Sequence, residues 1–170
     1  LALFAAGNMS DAVALMNKEA KSLGATESNF VNPHGLYNDN HYTTAYDLYL
    51  IFNEAIKYSK FVDTLSCMKY TGSFTRKTAY GDYSIGCSYT NSNGFLTGSY
   101  ATPDGIKVYG GKAGYTEVAR RSYVMLAESN NGHKYIIITM RAESNSLMYK
   151  DLSALLNKIP VEKKSYADNE

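Results

Sequence analysis

The chain has 170 residues, one domain's worth, and 45% of them are hydrophobic with only three prolines, a balance that argues against a disordered segment. Its formal net charge of +1 removes a strong electrostatic case for nucleic acid or an acidic membrane surface as partner. No apolar run approaches the length needed to span a bilayer. The opening residues, Leu1 to Ala6, read as the middle of a helix already under way and not as a signal peptide, so the chain is expected to be a piece of something longer.

Ala12, Leu15, Met16, Ala20 and Leu23 have helical spacing and predict helix over residues 1–23, with a fresh start after Gly7 and Asn8 capped by Ser10 or Asp11. Gly24 stops it. Residues 25–42 are loop chemistry, and a second helix is expected from Thr43 or Thr44 to about Ser59, with Leu48, Ile51, Phe52, Ala55 and Ile56 on its apolar face. Asp47 suits the first turn of that helix, where a carboxylate favours the dipole.

Beyond Phe61 the period changes. Residues 65–74 and 80–89 read as strands, 91–94 as a turn, and 105–111, 122–128 and 134–140 as three more strands. Asn130-Asn131-Gly132 marks a hairpin between the last two, because Asn and Gly tolerate positive φ. A helix over 145–158 stops before Pro160, and 161–170 is a polar tail or linker behind a domain of residues 1–160. This order predicts an α+β body, an antiparallel sheet covered by helices.

The two cysteines, Cys67 and Cys87, are wrongly spaced for zinc. A hairpin turning near Lys77 would let them face each other; otherwise they are two separate, half-buried thiols. The sixteen tyrosines, with no tryptophan, suit strands and broad clefts but name no ligand.

The chemistry centres on Gly110-Gly111-Lys112-Ala113-Gly114-Tyr115-Thr116. Glycines at a strand edge let a backbone or ligand come close, and the lysine between them offers a cation to an anionic substrate. The plainer alternative is a glycine-rich hairpin corner with a solvated lysine. One Ser-x-x-Lys occurs, Ser66 to Lys69. With 16 serines and 13 lysines, one such spacing is expected by chance, and it lies in a segment read as strand, where positions three apart face opposite ways. It is rejected as a nucleophile. His133 falls in a turn, and His34 and His41 flank an Asn-rich loop without the spacing of a metal site, so a histidine bonded to loop backbone is the better reading. Arg141, at the end of an apolar strand, is either a structural ion pair or a fork for a substrate carboxylate.

Four blocks in order carry a resemblance. Phe30-Val31-Asn32-Pro33-His34-Gly35-Leu36, then His41 to Leu48, then Asn91-Ser92-Asn93, then Gly110 to Thr116 resemble the D-alanyl-D-alanine carboxypeptidases, low-molecular-mass penicillin-binding proteins of the bacterial cell wall. The resemblance covers residues 1–158. It implies the β-lactamase and penicillin-binding-protein fold, here incomplete, and a serine-type carboxypeptidase that trims the terminal D-alanine of peptidoglycan stem peptides through an acyl-enzyme, without a cofactor or metal. Lys112 matches the lysine of the family's Lys-Thr-Gly block and Gly114 its glycine. Ala113, Thr116 and Arg141 would lie along the substrate, with His34 and Asn93 as structural residues near the cleft. Implied partners are stem peptides ending in D-Ala-D-Ala, β-lactams as inhibitors and a separate N-terminal segment, and the implied location is outside the cytoplasmic membrane.

Two departures qualify the resemblance. Ala113 stands where the family has threonine, removing a hydroxyl to the substrate carboxylate, worth on the order of 1.5–3 kcal/mol. The family's Ser-x-x-Lys and Ser-x-Asn fall upstream of the helix that opens this chain. The chain is therefore expected to hold one wall of the site and not its nucleophile. A catalytically silent module that binds cell-wall peptide or a partner is the alternative, with a serine β-lactamase third.

Overall fold

The computed structural model describes residues 1–162. Two helices open the chain, α1 (Ala2–Ala6) and α2 (Met9–Ser22), followed after a long loop by α3 (Ala45–Ala55) and α4 (Ser59–Ser66). Then come β1 (Lys69–Arg76), β2 (Tyr83–Thr90), β3 (Ile106–Thr116), β4 (Arg120–Ser129), β5 (Lys134–Ala142) and the closing α5 (Asn145–Leu156). This is the expected α+β order of helices, antiparallel strands and one last helix.

The cap of α2 is Asn8, not Ser10 or Asp11. Asn8 is extended, and its side chain accepts from the Asp11 amide (2.9 Å) and donates to the Asp11 carboxylate (2.7 Å). The Asp11 amide is thereby satisfied, and the return bond between the two side chains holds the cap in place. At α3, the Thr44 hydroxyl accepts from the Asp47 amide (3.1 Å), while the buried Asp47 carboxylate accepts from Ser28 (2.6 Å). The long loop is pinned as well as closed. Asn17 brackets Phe30 by two bonds (2.7 and 2.8 Å), and Asn29 pairs with Tyr42 across its neck.

The second helix ends earlier than expected. The chain turns at Ala55, Tyr58 becomes extended, and α4 begins at Ser59, so residues 65 and 66 are helical and the strand starts only at Lys69. Phe61, Val62 and Leu65 satisfy helical spacing in a segment too short for period alone to separate helix from strand. Packing decides: Phe61 meets Phe52 edge to face, with ring centroids 5.6 Å apart. The strands also form two sheets where one was expected, a β1–β2 ribbon and a sheet of order β3-β4-β5, both antiparallel.

The three-stranded sheet packs against α5. Phe95, Val108, Tyr123, Met125, Ala127 and Ile137 meet Met148, Tyr149, Leu152 and Leu156 in one buried cluster. The Ser144 hydroxyl caps α5 by accepting from the Leu147 amide (3.1 Å). Burying each large apolar side chain contributes about 1.5–3 kcal/mol, so this layer is what fixes the sheet. Residues 161–162 are not a loose tail: Glu162 exchanges two 2.8 Å bonds with the Asn130 side chain in the β4–β5 hairpin. The remainder of the expected tail, 163–170, lies outside the described residues.

Candidate active-site wall

The glycine-flanked lysine sits inside a strand and not at a hairpin corner. β3 runs unbroken to Thr116, and within the described residues it is an edge of its sheet. A bulge between Val108 and Gly110 re-aims the strand just before the lysine. Gly110 is buried at φ +120°, and a Cβ there would strike the carbonyl of Leu65 at the end of α4. A Cβ on Gly111 would strike the Val124 carbonyl and the Tyr123 ring. These two glycines therefore let the strand lie flush against α4 and β4. Along β3 it is at these two positions that contact requires glycine.

Lys112 follows, exposed, and its ammonium donates to the Ala113 carbonyl oxygen. It stands opposite Val124, itself opposite Ile138, whereas Ala113 stands opposite Tyr123 on the face that packs on α5. Lysine and alanine thus look to opposite sides of the sheet. Ala113 and Gly114 line a groove of about 250 Å³ with Tyr115, Arg121, Asn145 and Met148. No atom lies within 4 Å of where a Gly114 Cβ would be. The Thr116 hydroxyl accepts from the Ala119 amide (3.0 Å) and so is engaged in closing the β3–β4 turn.

Arg141 lies on β5, beyond a register shift between Arg121 and Tyr123. It is a non-glycine at φ +61°, and its backbone amide donates a hydrogen bond to the Ser122 hydroxyl (3.4 Å). Gly114 stands opposite Ser122, which places Arg141 two strand spacings across, about 10 Å. Among the described residues the one ion pair is Lys57 with Glu54, so Arg141 makes none there.

Asn93 is buried at 1% exposure with its amide fully used. Its oxygen accepts from the Phe95 and Leu96 amides (2.9 and 3.2 Å), and its nitrogen donates to the Tyr123 hydroxyl (2.8 Å). Burial, then the nearby Tyr149, pushes the Tyr123 phenol up to about 12, against the lowering effect of the Asn93 bond. Next to it Gly94 donates to the Tyr149 hydroxyl (2.7 Å), and Asn91 donates to the Leu65 and Cys67 carbonyls (3.0 and 3.1 Å). The 91–94 turn thus fastens α4, β4 and α5 to one another, and through the Leu65 carbonyl it meets β3 at Gly110. Sequence reading placed Asn91 and Asn93 in one turn but gave a role near the cleft to Asn93 alone, and it missed Ser122. An Asn two residues before another in a turn was the available signal for Asn91; nothing local marked Ser122.

His34 accepts from the Leu36 amide (3.2 Å), and His41 from the Val31 amide (3.2 Å), so both bond loop backbone. Burial, then the His34 charge, holds the His41 imidazole below its usual range. His34 lines a groove against the start of α2, with Met9, Ser10, Val13 and Val31, and no β3 residue joins it there. Ser66 ends α4 and Lys69 starts β1, and the Ser66 hydroxyl donates to the Val62 carbonyl (3.0 Å). That pair opens no helix, though the segment is not the pure strand expected. The cysteines do not face each other. Cys87 pairs with Gly72, Cys67 precedes the ribbon, and both thiols are free. No cluster of three or more His, Cys, Asp or Glu gathers among the described residues.

The family model for D-alanyl-D-alanine carboxypeptidases matches residues 1–144. The chain belongs to the D-alanyl-D-alanine carboxypeptidase family. Within this family it is 33% identical over 136 residues to D-alanyl-D-alanine carboxypeptidase DacF of Bacillus subtilis, a match covering 78% of this chain and 30% of that protein. Among solved structures it is similar to the D-alanyl-D-alanine carboxypeptidase of Mycobacterium tuberculosis (TM-score 0.68, 26% identity, 91% of this chain and 55% of that one). It is also similar to the Streptomyces K15 DD-transpeptidase (TM-score 0.72, 25% identity, 87% and 53%). Penicillin binding protein 5 of Haemophilus influenzae is a further likeness (TM-score 0.71, 26% identity, 91% and 40%). The chain spans about half the length of the first two structures and less than a third of DacF. Its mixed helix and antiparallel-sheet architecture is that of these penicillin-binding enzymes.

Proposed function

We propose that residues 1–160 form part of a serine-type D-Ala-D-Ala carboxypeptidase domain and supply the strand wall of its cleft, the nucleophile coming from residues outside these 170. The observation that carries this reading is the β3 edge: a close-packed Gly110-Gly111 anchor, then an exposed lysine, then a stretch at Gly114 with nothing crowding it. An open strand edge takes an extended peptide by main-chain hydrogen bonds, and a fixed cation beside it favours an anionic group. In the reaction, a serine oxygen attacks the carbonyl between two terminal D-alanines. The C–N bond breaks, D-alanine leaves with the proton on its amine, and water hydrolyses the acyl ester. Lys112 supplies positive charge at the cleft, Ala113 and Gly114 supply backbone, and Arg141 and Thr116 stand farther along the same end of the sheet. The substrate is the peptidoglycan stem peptide, β-lactams are the corresponding inhibitors, and the site of action is outside the cytoplasmic membrane.

An apolar groove of about 700 Å³ supports the participation of further chain. Leu1, Phe4, Leu15, Met16, Leu23, Phe30, Leu48 and Ile51 line it between α1, α2 and α3. The deciding experiment is penicillin labelling of the full-length protein followed by mass spectrometry. An acyl adduct on a serine outside these residues is the expected result. Absence of any adduct overturns the enzyme reading in favour of a silent module, to which Ala113 and the engaged Thr116 hydroxyl would then belong.

A further inference from the structure

The β1–β2 ribbon plays no part in the wall just described, yet its two faces differ sharply. Register and alternation put Tyr70, Gly72, Phe74 and Arg76 on one face with Tyr89, Cys87, Ile85 and Tyr83, while Thr71, Ser73, Thr75, Ser84, Ser88 and Thr90 share the other. Tyr70, Phe74, Tyr83 and Tyr89 are all exposed. Gly72 has a specific task here: the Tyr70 ring lies over it, 2.6 Å from hydroxyl to where a Cβ would stand. The rings thus lie along the ribbon as a row of flat, apolar surfaces with hydroxyl tips. At its base this row continues into a groove of about 420 Å³, in which Tyr70, Tyr89 and Thr90 face Asp63, Thr64 and Cys67 of the α4 end, closed by Asn91. Asn91 is the residue that holds the Leu65 carbonyl under Gly110, so the aromatic face leads towards the β3 wall.

We infer that the aromatic face of the β1–β2 ribbon docks the glycan strand of the cell-wall polymer, so that the site takes stem peptides still attached to their sugar chain. This deepens the carboxypeptidase reading and rests on it. Sugar rings present flat C–H faces that stack on aromatic rings, and their hydroxyls meet phenol tips. Charge suits the same occupant. Arg76 on the aromatic face and Lys77 beside it balance Asp82 and the groove's Asp63, and Lys69 lies on the other face. The surface is therefore near neutral, which fits an uncharged sugar chain better than an anionic membrane. Among the described residues the two strands pack chiefly on each other, which leaves the face open.

The test is co-sedimentation of the intact chain with insoluble peptidoglycan, competed by peptide-free glycan strands. Retention is expected to fall roughly tenfold or more for Tyr70→Ser with Tyr89→Ser, which removes two stacking surfaces. It should be unchanged for Thr71→Ala with Ser88→Ala on the opposite face. Phe74→Ser with Tyr83→Ser, away from the α4 groove, provides a second aromatic-face variant should the first disturb folding, as judged by circular dichroism. Equal retention of the aromatic-face variants overturns the inference. So does competition by anionic phospholipid vesicles in place of glycan, or a self-association that these variants abolish, which would assign the face to membrane or to a second copy. Retention needs no nucleophile, so a missing penicillin adduct and a missing glycan interaction are scored separately.

Discussion

Position 113 is where a single side chain bears most directly on chemistry. Its methyl group sits opposite Tyr123 and lines the small groove beneath Gly114. A threonine there would add a hydroxyl able to reach a carboxylate, and a hydrogen bond to a charged group contributes about 1.5–3 kcal/mol. In the full-length protein, Ala113→Thr is expected to raise kcat/KM on peptides with a free terminal carboxylate by about tenfold or more, with no gain on amidated ones. No change on either would mean that another group already holds the carboxylate. Tyr123 offers a second test at this scale. An unfolded tyrosine loses its proton near pH ~10, whereas the folded phenol is pushed up to about 12. Below the first value both states are protonated and the full stability is present. Between the two, the unfolded chain ionises first, so stability falls as pH rises, by about 2–3 kcal/mol across the window. Urea unfolding across that range should show the slope, and Tyr123→Phe should flatten it while costing about 1 kcal/mol at neutral pH through the lost Asn93 partner.

At the scale of elements, the two ends of the glycine-lysine segment of β3 should respond oppositely to the same change. Gly110 is at φ +120° against the Leu65 carbonyl, so Gly110→Ala combines backbone strain with a collision and is expected to cost about 2–4 kcal/mol. Gly114 has ordinary φ and nothing within 4 Å, so Gly114→Ala should change stability by no more than about 0.5 kcal/mol. If an extended substrate lies along this edge, the Gly114 variant nonetheless loses activity, which denaturant melts and peptide turnover would separate. The same strand shows what could be read beforehand. The lysine, its glycines and the following hairpin were visible as residue types, because turn chemistry and period 2 are local. The bulge at Tyr109, and with it which face each of Lys112 and Ala113 takes, was not, since register is set by β4 across the sheet. Helix α5 was legible over 145–158 with its stop before Pro160, and the β4–β5 hairpin from Asn130-Asn131-Gly132. Helix α4 was hidden in eight residues containing β-branched Val62 and Thr64, where only its contact with α3 decides the conformation.

For the whole molecule, stability is unevenly spread, and function follows that spread. β4 is bonded on both sides, and Met125, Leu126 and Ala127 are fully buried, so opening it means dismantling the α5 layer. The ribbon has one pairing partner per strand and mostly exposed side chains. A two-stranded hairpin is marginal by itself in water, so its amides should open locally at far lower free energy than the sheet's. Native-state hydrogen exchange is therefore expected to rank β4 slowest and β1–β2 fastest among the paired strands, by at least about two orders of magnitude. The helices should fall between them, because α1, α2 and α3 leave an apolar groove open that withholds part of their burial. In a longer protein that fills this groove, protection in α2 and α3 should rise while the ribbon stays unchanged. Binding of peptidoglycan should do the reverse, slowing exchange in β1 and β2 and leaving α2 alone. Equal slowing everywhere would mean that the ribbon is coupled to the core, and that it is not an independent arm beside the cleft.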